Sequence, residues 1–193
     1  MLLAGLDYQW FVSINSIAGA SQVLDMLMVL ITKVGVAVPV IYLLYLWFSG
    51  RQGEERFLNR RLALVAVVAC VVAFIIDYFL GLAWYRNRPF VDHQVVLLVK
   101  HAANSSFPSN HAAGAFAIAI SVWASSRRRW AGFFLFLWAI VIGFSRIFVG
   151  VHYPTDVMAG FVVALVSTFI AYILRPVIVR YLGRFLGRTH KNS

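Results

Sequence analysis

The sequence predicts an all-α fold, an integral membrane bundle of five to six transmembrane helices. Three observations carry that expectation. The chain is 62% hydrophobic and 12% charged, whereas soluble domains sit nearer half apolar and a quarter charged. Its apolar residues fall in runs of about 20, the length a helix needs to cross hydrocarbon. Its basic residues gather between those runs and form no separate face.

Residues 5–20 form a weak apolar stretch, expected as an interfacial helix packed on the bundle, with a sixth span as the alternative. The first clear run is 26–48, broken only by Lys33, and the second is 62–84, holding Asp77. Residues 110–126 make a short third span rich in Ala and Gly, followed by 130–149 and 155–175. A single domain over 1–193 is expected, with a core at about 20–175 and a basic cytoplasmic tail at 176–193. No Lys or Arg precedes Lys33, so a cleavable signal peptide with its positive n-region is not expected. The single cysteine, Cys70, lies in an apolar run; it excludes an intrachain disulfide and reads as a packing residue.

Charge sets the orientation. Arg51, Arg56, Arg60 and Arg61 occupy one connection, Arg127–Arg129 a second, and Arg175, Arg180, Arg184, Arg188 and Lys191 the tail. Five spans place all three segments on one side, which then collects 12 of the 17 Lys and Arg residues. Positive loops stay cytoplasmic, so 84–109, 150–154 and the N-terminus are expected outside. The formal charge of +10 does not imply nucleic acid, because these cations flank apolar spans. The run at 127–129 reads as topology signal and anionic lipid contact.

Three polar segments fall at the expected outer interface: RNRP at 86–89, FPSNH at 107–111 and SRIFVGVHYPTD at 145–156. Ionisable residues at that depth are costly and usually functional. Their types suit an oxyanion. Arg88 and Arg146 each offer a planar fork that fits phosphate bidentately. Ser109 is placed to cap a helix whose free N–H groups favour an anion. His152 and Asp156 are four apart, so a carboxylate can hold one imidazole nitrogen and leave the other free. His111 lies one turn into the third span, placed to protonate a leaving oxygen. Two arginines repel a cation and no carboxylate pair accompanies them, so no metal or other cofactor is expected.

These segments resemble, in order and spacing, the motifs of the type 2 phosphatidic acid phosphatase superfamily, from about residue 20 to 175: Arg88-Pro89, then Pro108-Ser109-Asn110-His111, then Ser145-Arg146 with His152 and Asp156. The resemblance implies that His152 is a nucleophile forming phosphohistidine, Asp156 its partner and His111 the acid and later the base. It implies that Arg88, Ser109 and Arg146 hold the phosphate, with Asn110 and Ser145 of the same motifs as further phosphate contacts. The first motif's Lys is missing at Gly81, and Asn110 replaces the usual Gly. Arg86 or Lys100 would then supply the missing cation, and Arg86, Lys100 and His101 are candidate headgroup contacts. RPF (88–90), HAANSSFPSNH (101–111) and GFSRIFVGVHYPTD (143–156) look like the bacterial undecaprenyl-diphosphate phosphatases of the bacitracin-resistance type. That branch implies a bacterial inner-membrane protein with an outward site and a polyprenyl diphosphate substrate.

Overall fold

The computed structural model describes residues 2–51 and 53–185; Arg188 and Lys191 of the basic tail lie outside the described residues. The described residues form helices and loops only: α1 (Leu2–Asn15), α2 (Gln22–Val34), α3 (Ala37–Phe48), α4 (Glu54–Ala83), the short α5 (Pro89–Asp92), α6 (Asn110–Trp123), α7 (Arg129–Phe148), α8 (Pro154–Ile173) and α9 (Arg175–Phe185), with a 3₁₀ turn at Ser126–Arg128.

Among these, α4, α7 with its preceding turn, and α8 are each long and apolar enough to cross a membrane. The run at 26–48, expected as one continuous span, is instead two helices, α2 and α3, bent by 44°. Pro39 explains the break. It has no N–H to donate to the carbonyl four residues back, and its ring crowds that carbonyl. The carbonyl is that of Gly35, and the indole N–H of Trp138 on α7 bonds it at 2.8 Å instead.

The 14-residue α6 rises only about 21 Å. It survives at that length because protein, not lipid, surrounds it: it packs on α4, α7 and α8, and Ala112, Ala113, Ala117 and Ala119 are fully buried. Small residues permit this close approach. At Gly160 of α8 an added Cβ would lie 2.9 Å from the Ser109 carbonyl oxygen and 3.0 Å from the Ala113 nitrogen. Packing of α6 against α8 therefore sets where Ser109 and His111 sit relative to the start of α8.

The two ends of the bundle differ in kind. At one end Arg128 bonds the Asn59 amide oxygen at 3.3 Å, and Arg61, Arg127 and Arg175 line one recess. The three basic segments thus meet on a single face. The three motif segments meet at the other end. There α1 packs over α7 and α8 through Phe11, 1% exposed, against Ile147 and Tyr153. The Asn15 side chain pins the loop between α5 and α6 by bonding both the N–H and the carbonyl of Val96, at 3.0 and 2.9 Å, and the Phe148 carbonyl at 2.8 Å.

Candidate active site

The site is assembled from the loop joining α7 to α8. Gly150 adopts φ +86°, a left-handed turn that favours glycine. It lets the Val151 and His152 N–H groups fold back onto the Arg146 carbonyl at 3.2 and 3.3 Å. Pro154 then starts α8 at the position where a missing N–H costs nothing. Asp156, in the first turn, accepts the Tyr153 N–H at 2.8 Å through Oδ2. The same oxygen stands 3.5 Å from His152 Nδ1, an ion-pair distance longer than a formed hydrogen bond.

His152 is 3% exposed. Its Nε2 faces Arg88 Nη1 at 3.1 Å. A guanidinium only donates, so Nε2 presents its lone pair and Nδ1 carries the proton toward Asp156. Burial above all pushes the imidazole down to about 4, against the upward pull of Asp156. At neutral pH His152 is therefore an unprotonated base with Nε2 turned toward the arginines.

Arg88 is held rigidly: it donates to the Asn104 side chain at 3.0 Å, the Val151 carbonyl at 2.8 Å and the Ser105 carbonyl at 3.1 Å. Burial lowers it to about 10, opposed by Asp156, which leaves it charged at neutral pH. Arg146, 3% exposed, donates Nη1 to Thr32 on α2 at 2.8 Å. Its Nε and Nη2, and the buried Ser109 hydroxyl, have no partner among the described residues. His111, in the first turn of α6, lies within electrostatic reach of Arg146, His152, His101 and Arg88. Buried donors without acceptors are costly, and the unpartnered Nε and Nη2 of Arg146 form a fork that favours an anion bound bidentately.

Several expected roles need correction. The Ser145 hydroxyl, expected on phosphate, donates to the Ile142 carbonyl of its own helix at 2.7 Å and is satisfied there. Ser109 stands at the N-cap position, but its side chain makes no capping bond. Arg86, expected at the headgroup, is committed to carboxylates: it bonds Asp156 Oδ1 at 2.9 Å, Asp7 Oδ2 at 2.6 Å and the Thr155 hydroxyl at 2.7 Å. It also lies 3.8 Å over the Tyr153 ring. Lys100 is exposed on the loop between α5 and α6. His101 is half-buried, its ring centroid 6.5 Å from that of His152, and burial lowers its pKa. Asn110 is exposed at the head of α6. At Gly81, where the first motif's Lys would stand, a Cβ would already lie 3.3 Å from the Phe107 carbonyl oxygen, so any side chain there presses on the loop leading into α6.

Sequence reasoning missed Asp7 and Thr32, which touch Arg86 and Arg146 from distant segments, and it missed the parts played by Asn104 and Thr155 within the quoted segments. It also missed a cavity of about 380 Å³ that begins at Asn110 and His111 and runs between α3, α4 and α6, lined by Val40, Cys70, Phe74 and Ile118 among others. Val40, Cys70 and Ile118 also line a second apolar recess of about 290 Å³ that continues it.

The chain is similar to known proteins. The chain is 35% identical to undecaprenyl-diphosphatase BcrC of Bacillus subtilis, over 89% of this chain and 87% of that protein. It is 29% identical to the putative undecaprenyl-diphosphatase YbjG of Escherichia coli, over 90% and 84%. The crystal structure of Aquifex aeolicus LpxE superposes with a TM-score of 0.72 at 26% identity, covering 86% of this chain and 94% of that one. The profile of the PAP2 superfamily matches residues 62–180, which takes in all three motif segments, and the chain is thereby a multi-pass membrane protein of the PAP2 superfamily.

Proposed function

We propose that this phosphatase removes the terminal phosphate of undecaprenyl diphosphate, leaving the monophosphate carrier. The observation that carries the reading is the pairing of a buried donor set with an apolar channel. Arg146 Nε and Nη2 and the Ser109 hydroxyl are donors in need of an oxyanion, and the recesses that start at His111 are lined mainly by apolar side chains suited to a lipid chain. His152 Nε2 attacks the terminal phosphorus. The bridging P–O bond breaks, and His111, which takes up a proton when the anionic diphosphate binds beside it, gives that proton to the departing lipid phosphate. Water then attacks the phosphohistidine, loses a proton to His111 and releases inorganic phosphate. Arg88 and Arg146 offset the charge that gathers on the phosphoryl oxygens. The undecaprenyl-diphosphatase names of BcrC and YbjG support the choice of lipid. The test is phosphate release by purified protein from undecaprenyl diphosphate, phosphatidic acid and phosphatidylglycerol phosphate. The polyprenyl diphosphate is expected to show the highest kcat/KM, and overexpression in a bacterium to raise bacitracin resistance. Preference for either glycerolipid would reassign the substrate.

In the same reading the site faces the outer side of the bacterial cell membrane, because the face joining Arg61, Arg127 and Arg175 stays in the cytoplasm. A cysteine placed at Asp92 is expected to react with an impermeant thiol reagent in intact spheroplasts, and one at Arg128 only after lysis. The opposite labelling pattern would invert the topology.

A further inference from the structure

The mechanism above does not use Asp7, although it is the most heavily bonded carboxylate outside the motifs. It sits on α1, 2% exposed, at the end of the bundle that holds the site. Its Oδ1 accepts the Thr155 N–H at 3.0 Å, and its Oδ2 accepts the Thr155 hydroxyl at 2.6 Å. Oδ2 also accepts Arg86 Nη2 at 2.6 Å. Through its other nitrogen, Nη1, Arg86 holds Asp156 Oδ1 at 2.9 Å. The guanidinium is thus clamped between two carboxylates, with the Tyr153 ring 3.8 Å beneath it.

This clamp answers a problem that the motif residues leave open. The Asp156 side chain must hold its plane so that one oxygen faces His152. The Tyr153 N–H fixes Oδ2 at 2.8 Å, but one bond leaves the carboxylate free to swing about it. Arg86 fixes the second oxygen. An arginine facing Asp156 alone would also draw the carboxylate away from His152, whose Nδ1 is already 3.5 Å distant. A second carboxylate on the far side of the guanidinium divides that pull. Resting on the reading of His152 and Asp156 as nucleophile and partner, we propose that Asp7 is a positioning residue for catalysis: with Thr155 it anchors Arg86, and through Arg86 it sets the plane and the electrostatic balance of Asp156. The interfacial helix α1 is in this sense part of the catalytic assembly.

The experiment compares the full chain with Asp7→Asn, Asp7→Ala, Arg86→Ala, the Asp7→Ala/Arg86→Ala double variant and His152→Ala. Each is assayed in detergent for phosphate release from farnesyl diphosphate, a short probe that makes little demand on the lipid channel, and for inhibition by vanadate. Asp7→Asn keeps size and an acceptor for the Thr155 N–H, and monodispersity and thermal unfolding identify the folded variants. Both Asp7 variants are expected to lose about ten- to a hundredfold in kcat, the range for groups that orient a functional side chain. KM and vanadate inhibition should stay within about twofold of wild type, because Arg88 and Arg146 are untouched. The double variant should be no slower than Arg86→Ala alone, since residues in one network are non-additive. Folded Asp7→Asn with wild-type kcat beside an inactive His152→Ala overturns the proposal alone. So does a loss in the double variant equal to the product of the two single losses, which would mark Asp7 as a staple of α1 only. Turnover retained by His152→Ala overturns the reading of the site, and the proposal with it.

Discussion

Replacing His152 by alanine is expected to lower kcat by at least about ten-thousandfold, the scale seen when a covalent nucleophile is removed from a site whose members act as a unit. The geometry says why nothing else takes over. His152 offers Nε2 directly against the facing Arg88 donor at 3.1 Å. His101 is half-buried, with its Nδ1 beside the Ala102 carbonyl at 3.1 Å, and His111 is assigned to the leaving group. Folding should survive, because the loop around His152 is held by backbone bonds to the Arg146 carbonyl and not by the imidazole. Asp156→Asn should cost less in rate than His152→Ala, since the nucleophile remains but loses its orienting charge. It should cost more in stability, because Asp156 also accepts from Arg86 and Tyr153. Phosphate release and thermal unfolding measured together on both variants check this ordering. A folded His152→Ala protein within tenfold of wild type would remove the phosphohistidine step.

The helical bundle was readable from composition and run length because lipid imposes a simple rule: apolar runs must be long, and charges must sit at their ends. Spacing within one segment was readable for the same kind of reason. His152 and Asp156 are joined by a single helix start, so four residues of sequence imply proximity. Contacts between segments were not. Asp7 and Thr155 are 148 positions apart and Thr32 and Arg146 are 114 apart; no periodicity relates them, and only the packing of α1 and α2 on α7 and α8 brings them together. Arg86 shows the same limit in reverse. Its place beside Arg88 suggested a second phosphate cation, but Arg86 faces Asp156 while Arg88 faces His152, a divergence that depends on the partners packed around the loop and not on the two-residue spacing. Ser145 and Ser109 misled for a local reason. A buried serine in a helix can satisfy itself on its own backbone, as Ser145 does, and an N-cap position does not oblige the side chain to cap. The break at Gly35 was encoded by Pro39, but the Gly35 carbonyl, which also accepts the Val38 N–H at 3.2 Å, gains a second donor from Trp138, 103 positions away.

Arg146→Lys is expected to reduce kcat/KM by about a hundred- to a thousandfold, although the charge is kept. Loss of one positioned oxyanion donor costs about that much, and lysine loses more than one. The native guanidinium divides its work: Nη1 is spent on the Thr32 hydroxyl at 2.8 Å, while Nε and Nη2, buried and without a protein partner, remain for phosphoryl oxygens. An ammonium is a point donor on a flexible stem. If it reaches Thr32 it is turned from the phosphate, and if it reaches the phosphate it leaves the buried hydroxyl unpaired. Thr32→Val separates these roles. It removes the anchor without touching the donors that face the phosphate, so its loss should be smaller, on the order of tenfold for one charge-assisted hydrogen bond. Vanadate, which occupies the phosphoryl position, provides the second readout: its inhibition should weaken strongly in Arg146→Lys and mildly in Thr32→Val. Near-normal kcat/KM and vanadate inhibition in Arg146→Lys would mean that the guanidinium serves only to tie α7 to α2, and Thr32→Val would then be the more damaging change.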